Sequence, residues 1–362
     1  MINLFEPHID IDAARVYLDD SLDRGALTNS PDDSNPNYVN QLGIRIASLM
    51  GFKYGIPCSS GTVAAEVLIT ALLELLPRGV DSPVIHMPAY NYEGLINMVV
   101  DQAPKWDSAI NLVSCSIDNY SANFDYGKYR HSHSLWINSY LYGNMGVYDN
   151  DNMCIGDLSH LTGVDCSGLG LDHGFTSLYP TKNIGAGEGG VVLTNNRPFS
   201  QRVAKLIASG GTSGRSYNRR MSELHAGVGL ANAKGIKERM NRRRAVYTSL
   251  RGLIDEDFRP HKMRHPYMFI INLARNPGFN YEIGKLIVNE LDDHGIGSSF
   301  DYYRGHLGPR LNSLADISYE GDGTAADNLM GTQLAIPCHR NMTEGDIRYT
   351  AESVNKALRE LL

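Results

Sequence analysis

Between residues 55 and 193 the chain alternates short, mostly apolar runs with polar turns and helical stretches, the runs falling at 84–87, 112–115, 135–138, 152–155, 175–178 and 190–193. Brief segments that are apolar at consecutive positions suit strands buried on both faces, and the spacing leaves room for crossover connections. The pattern predicts an α/β fold, a mostly parallel sheet covered by helices, with ligands bound beyond the carboxyl ends of the strands. A strong amphipathic helix is predicted over 63–73, directly after the small residues Cys58-Ser59-Ser60-Gly61-Thr62. Turn-forming residues at 32–37 interrupt an N-terminal helical region.

Past residue 230 the pattern changes. Residues 234–244 concentrate two lysines and four arginines on a helical stretch, which reads as a charged helix bridging two lobes rather than as a nucleic-acid surface. A strand is predicted over 267–273, an amphipathic helix over 281–294 and a terminal helix over 343–362. Together they describe a second, smaller α+β lobe starting near residue 245.

Composition narrows the partners. The 362 residues suffice for two lobes, and a net charge of −7 from 33 basic and 40 acidic residues offers no global field for nucleic acid or an anionic membrane. A small-molecule partner is expected. The five cysteines are odd in number and lack CxxC spacing, which argues against a disulfide framework or a zinc site, and no metal is expected. The N-terminus has no basic segment followed by an apolar stretch, and no apolar run approaches the ~20 residues that span a bilayer. The expectation is a cytoplasmic protein with reduced thiols.

Four places carry candidate chemistry. Small residues at 58–62 ahead of a helix leave its first N–H groups and the positive end of its dipole open to a phosphate, although a serine or threonine there also reads as an ordinary cap. Tyr90 and Tyr92 follow the run at 84–87, where an aromatic ring could stack on a flat heterocycle or simply pack. In Gly156-Asp157-Leu158-Ser159-His160, after another buried run, Asp157 could bond a protonated ring nitrogen or serve as a turn residue, and His160 could be structural. Lys182 stands in Ser177-Leu178-Tyr179-Pro180-Thr181-Lys182-Asn183, ahead of Gly187-Glu188-Gly189-Gly190. A lysine in such a setting can be activated to attack an aldehyde, or can be a surface lysine in a glycine-rich turn.

The order of these places matters more than any one of them: phosphate-binding helix start, stacking aromatic, strand-end aspartate, then Ser-x-x-x-x-Lys. In that order the chain resembles the DegT/DnrJ/EryC1/StrS sugar aminotransferase family, nearly end to end. The resemblance rests on Gly25-Ala26-Leu27-Thr28, Ser60-Gly61-Thr62, Pro88-Ala89-Tyr90-Asn91-Tyr92, Gly156-Asp157-Leu158-Ser159-His160 and the Lys182 motif. Tyr217-Asn218-Arg219-Arg220-Met221-Ser222-Glu223-Leu224 and Ile336-Pro337-Cys338-His339 add to it. It implies the pyridoxal 5'-phosphate fold type I, aspartate aminotransferase-like: a large domain over 1–244 with a mostly parallel seven-stranded sheet, and a smaller C-terminal α+β domain over 245–362. Position by position, it implies that Lys182 forms the internal aldimine and shuttles protons, that Asp157 keeps the pyridine nitrogen protonated, and that His160 contacts the phenolic oxygen. Tyr92 would stack on the ring, while Gly61, Thr62 and Ser177 would hold the phosphate. Asn218 would reach that phosphate from the neighbouring subunit of a homodimer.

Three departures from the family pattern stand out: Asn91 where relatives usually have Thr, Leu158-Ser159 in place of a small pair, and the segment 32–37 near the substrate pocket of relatives. The activity implied is transfer of an amino group from L-glutamate to a nucleotide-linked keto-deoxysugar such as a 4-keto-6-deoxyhexose. A keto-cyclitol acceptor, a cofactor-dependent sugar dehydratase and a non-catalytic homologue are the alternatives. Relatives that dehydrate have histidine in place of the cofactor lysine, whereas this chain keeps Lys182. Arg215, Arg219, His306 and Arg310 are weaker candidates for meeting a diphosphate.

Overall fold

In a computed structural model of the chain, residues 1–28, 37–76, 83–113, 115, 134–145, 153–208, 217–274, 276–300, 302, 317–320, 329 and 331–362 are described. Seven strands come from the first two hundred residues: β1 (Tyr54–Cys58), β2 (Val84–Pro88), β3 (Ala109–Val113), β4 (Ser134–Ser139), β5 (Met153–Asp157), β6 (His173–Ser177) and β7 (Gly190–Thr194). Among the described residues the sheet has eight strands rather than seven, because β10 (Ile317–Glu320) adds in parallel to the edge of β3 from the C-terminal part of the chain. The order is β1-β7-β6-β5-β4-β2-β3-β10. Only β7 runs antiparallel to its neighbours, so the carboxyl ends of β1, β2, β4, β5 and β6 share one edge. Between β2 and β4 the chain order reverses, which opens a crevice at that edge where ligands can sit.

Helices cover both faces. On one, α3 (Gly61–Leu73), α4 (Glu93–Gln102) and α5 (Arg197–Ile207) bury Leu68, Ile69, Ile96 and Val203 against Ile85, Ile110, Leu135 and Val192. On the other, α2 (Tyr38–Met50) and α6 (Glu223–Ala233) pack Leu42, Ile46 and Ala226 against Trp136, Val191 and Leu193, with α1 (Ile11–Asp23) lying on α6. Each residue of β7 is buried, as the doubly apolar pattern requires. The strand expected at 112–115 begins earlier, at Ala109. Buried Asn111 interrupts its apolar run, and its amide bonds His86 Nδ1 on the neighbouring strand at 3.0 Å.

The smaller unit has a three-stranded antiparallel sheet, with β11 (Gln333–Ile336) between β8 (Phe269–Asn272) and β9 (Ser299–Phe300). The helices α7 (Ile236–Leu253), α8 (Tyr281–Asp293) and α9 (Glu344–Leu361) bury Tyr247, Leu250, Ile287, Leu291, Val354 and Leu358 with these strands. Thr343 caps α9 in a reciprocal capping box with Asp346. The expected boundary at 244/245 falls inside α7, which runs unbroken across it. At the N-terminus, Ile2 bridges to Ile296 in the smaller unit.

The basic stretch at 234–244 joins the two units. Gly235, in the left-handed region at φ 62°, separates α6 from α7. Arg242 donates to the carbonyls of Arg340 and Met342 beyond β11, and Arg243 donates to Asn183 Oδ1 beside Lys182. These cations satisfy protein oxygens at a junction instead of forming a free surface stripe. Among the described residues no helix is long and apolar enough to cross a membrane.

Candidate active site

A cavity of about 520 Å³ opens at the carboxyl edge of the sheet. Its wall takes Gly61 and Thr62 from the start of α3, Tyr92 after β2, Tyr140 and Leu141 after β4, Asp157 at the end of β5, and Ser177 at the end of β6. Ser159, His160, Tyr179, Thr181, Lys182, Glu188 and, from the smaller unit, Tyr302 add to the lining. The parallel register explains the convergence. Pairing Ser139 with Asp157 brings the ends of β4 and β5 level, and pairing Asp157 with Phe175 carries β6 two residues further to Ser177, so every loop that leaves them empties onto the same side.

The start of α3 fits an anion. Ser60 caps the helix by accepting from Val63 N at 3.2 Å, and Ala64 N bonds the Ser60 carbonyl. The Gly61 and Thr62 amides then have no acceptor among the described residues and face the cavity. A side chain at Gly61 would come within 2.7 Å of Ser177 Cβ, so glycine is what lets the helix end approach β6. The positive end of a 13-residue helix beside the Ser177 hydroxyl is a phosphate site by geometry and by charge.

Asp157 is buried, with 9% of its surface exposed, and accepts from Ser159 N at 3.1 Å. Burial pushes its carboxyl above the usual carboxylate range, against the lowering pull of Ser159 and Lys182. A buried carboxylate facing a cavity without an ion-pair partner among the described residues suits a cationic N–H group brought in by a ligand.

His160 is buried, and Tyr142 N donates to its Nδ1 at 2.8 Å. With that nitrogen accepting, the proton of the neutral ring sits on Nε2. Burial, and then the charges of Lys182 and Arg243, hold the ring well below the ordinary histidine range, so it stays neutral near pH 7. Nε2 is therefore the donor side of the ring.

Lys182 is half-buried in the cavity wall. Burial lowers its amine to about 8, against the opposing pull of Asp157. The fraction of free amine at neutral pH is thus far above that of an ordinary lysine. Its loop is held by Lys182 N bonding the Tyr179 carbonyl and by Ala186 N bonding the Leu178 carbonyl.

Asn218 is the one expected site residue that lies away from this cavity. It is exposed and accepts from Arg220 Nε at 3.1 Å. Arg219 forms an ion pair with Glu66 at 2.7 Å. The segments at 32–36, Arg215, His306 and Arg310 lie outside the described residues. Two departures from the family pattern have local accounts. Buried Asn91 donates to Ser139 Oγ and accepts from Tyr92 N, both at 2.8 Å, which fixes the turn that presents Tyr92. Leu158 points into the core, where glycines at 156 and 174 leave it room, while Ser159 faces the cavity. The paired motifs also meet: Thr28 bridges to Ser222, Glu223 N bonds the Leu27 carbonyl, and the Glu223 carboxylate caps α2 through Tyr38 N at 2.6 Å.

Sequence reasoning missed Tyr267. It lies just before β8, in a run that reads as core strand, yet its ring stacks on His160 at 4.1 Å and lies 5.0 Å from Lys182 Nζ. Tyr302 was missed as well. An apolar strand pattern carries no sign that its first aromatic will pack against the site residues of another unit.

The chain is similar to known proteins in sequence and in fold. At 25% identity the chain is similar to an uncharacterized protein of Methanocaldococcus jannaschii over 59% of its own length and 61% of that relative's. It is similar to a GDP-perosamine synthase of Vibrio cholerae at 23% identity over 87% and 89% of the two chains. In fold it resembles a sugar aminotransferase of Streptococcus pneumoniae solved in its PMP form, with a TM-score of 0.82 at 18% identity over 100% and 98% of the chains. It also resembles a GDP-4-keto-6-deoxymannose-3-dehydratase, with a TM-score of 0.84 at 19% identity over 98% and 100%. The DegT/DnrJ/EryC1/StrS aminotransferase family model matches residues 155–355, the stretch that holds Asp157, His160 and Lys182, and the chain belongs to that family.

Proposed function

We propose that the protein transfers an amino group from L-glutamate to a nucleotide-linked keto-deoxysugar, with a 4-keto-6-deoxyhexose as the acceptor. The observation that carries this reading is the joint placement, around one cavity, of a lowered amine, a buried carboxylate lacking an ion-pair partner among the described residues, and an open helix start. Pyridoxal phosphate, the cofactor of this aminotransferase family, supplies an electron sink that stabilises negative charge at the carbon bearing the amine.

The residues present fit that group. The Gly61 and Thr62 amides and the Ser177 hydroxyl would hold its phosphate, and Asp157 would accept from its ring nitrogen and keep that nitrogen protonated. His160 would donate from Nε2 to its phenolic oxygen, with Tyr92 against its ring. Lys182 would carry it and, once free, remove and return the proton at the amine-bearing carbon of donor and acceptor in turn. A base lowered toward neutrality suits both directions of that exchange. Asn218, exposed in the single chain, would reach the phosphate site of a second copy, which makes the active unit a homodimer.

The sugar-nucleotide acceptor is supported by the relatives' names, which include GDP-perosamine synthases and a UDP-4-amino-4,6-dideoxy-N-acetyl-beta-L-altrosamine transaminase of Campylobacter jejuni. The structural likeness to a dehydratase keeps a second reading in view. Lys182 favours transfer, because its amine can return the proton that completes each half-reaction. The test is the absorbance of the purified protein with pyridoxal phosphate, before and after L-glutamate. Conversion of the visible cofactor band to a pyridoxamine-type band near the ultraviolet is expected. An unchanged band overturns the glutamate donor, and dehydrated sugar without amine incorporation overturns transfer.

A further inference from the structure

Tyr267 joins three parts of the site. Its ring stacks on His160 at an interplanar angle of 16° and lies 5.0 Å from Lys182 Nζ and 5.6 Å from the Arg243 guanidinium. Its hydroxyl sits 3.2 Å from both the carbonyl and the Oγ1 of Thr181, the residue before Lys182. Its N–H donates to the Tyr142 carbonyl at 2.9 Å, and Tyr142 in turn donates to His160 Nδ1. The chain of contacts therefore closes on itself: Tyr142 to His160, His160 to the Tyr267 ring, Tyr267 back to Tyr142.

The crossing that makes this possible uses unusual backbone. Tyr142 has φ 58° and Gly143 φ 93°, and a side chain on Gly143 would lie 1.8 Å from the His265 carbonyl oxygen. A non-glycine residue in the left-handed region costs about 1 kcal/mol or more and persists only where its surroundings enforce it. Here the segment leading into β8 runs directly over that turn.

We propose that Tyr267 is a positioning residue for the Lys182 amine: its ring is the platform on which the ammonium form rests, and its hydroxyl and main chain fasten that platform to Thr181 and His160. A cation beside an aromatic face is attracted to the ring's negative quadrupole, and the attraction grows as water is excluded. Burial works the other way on this amine. The ring thus offsets part of the desolvation and keeps the amine within reach of both protonation states near neutral pH. The inference rests on Lys182 being the cofactor-bearing amine, but its test reads that amine without any transfer reaction.

The experiment replaces Tyr267 in the full chain by phenylalanine and by mono-, di- and trifluorinated phenylalanines. Competitive acylation of Lys182 against pH is followed by peptide mass spectrometry. Shape and burial stay nearly constant along this series while the quadrupole weakens, and the titratable and charged neighbours Asp157, His160, Glu188, Arg243, Arg239 and Arg340 stay as they are. The pKa of Lys182 is expected to fall stepwise with each fluorine, by roughly one pH unit over the series, with exposed Lys285 as an unmoved control. Equal melting temperatures with a flat Lys182 titration would overturn the platform, and so would a rise with fluorination. Failure of the glutamate half-reaction with an intact fluorine trend would instead count against the function proposed above.

Discussion

The two walls of the cavity are built in different ways. The wall from the large sheet is made of strand ends and one helix start, and its chemistry is held by short-range structure: Ser60 capping α3, Ser159 N on Asp157, Asn91 on Tyr92. The wall from the smaller unit is aromatic: Tyr302 lines the cavity with the Phe5 ring tilted 5.5 Å from it, and Tyr267 lies behind the lining against His160 and Lys182. The first wall supplies the reacting groups. The second sets how dry they are and what charge they bear, and it depends on the two units meeting correctly at Gly143 and along α7. Reactivity and environment are therefore separable by mutation.

The largest effect is expected on the sheet wall. Lys182→Ala should abolish amino transfer, by ~10⁴-fold or more as for loss of an essential nucleophile and base, while circular dichroism and melting temperature stay near those of the parent. Near-normal transfer by this variant would sink the assignment. Asp157→Asn keeps the shape and loses the charge. It should lower turnover by ~10²–10³-fold, the scale of breaking a buried charge pair, and weaken cofactor retention in dialysis; equal retention would show that no cationic group sits against it.

The seam between the walls should show in stability. Gly143→Ala forces a side chain into the His265 carbonyl at a positive φ and is expected to lower stability by about 2 kcal/mol, read by denaturant titration. An unchanged midpoint would mean that the units do not cross so closely.

A smaller, graded effect lies in pH. Because Lys182 titrates at about 8 and only its free amine reacts, uptake of pyridoxal phosphate should rise about tenfold per unit below that pH and level off above it. A free lysine derivative in the same buffers would keep rising toward 10. His160 is already neutral across this range, since its shift is downward, and should add no further step above pH 6.5. A plateau for Lys182 as late as that of free lysine would remove the environmental effect that the second wall is held to exert.

The same contrast governs what could be read from the sequence. Residues of the sheet wall stand beside their own local signals: a small-residue run before an apolar helix for Gly61 and Thr62, strand ends for Asp157 and Ser177. β1 was not marked as a separate run, because Tyr54-Gly55-Ile56-Pro57-Cys58 contains the two residues least suited to strands. It is tolerated because β1 lies at the sheet edge, where Gly55 lets α2 approach so closely that a side chain would meet the Gly43 carbonyl at 2.3 Å. β10 reaches the sheet from more than two hundred residues after β3, a pairing that no local pattern encodes. Tyr267 was hidden for the same reason: its neighbours His160, Thr181 and Lys182 are remote in the chain, and its own run looks like ordinary core.

The most direct measurement is reductive trapping. The protein is loaded with pyridoxal phosphate, reduced with borohydride, digested and mapped by mass spectrometry. A phosphopyridoxyl adduct on the peptide containing Lys182, and on no other lysine at equimolar loading, is the expected result. An adduct on a different lysine, or none at all, would contradict the site described here.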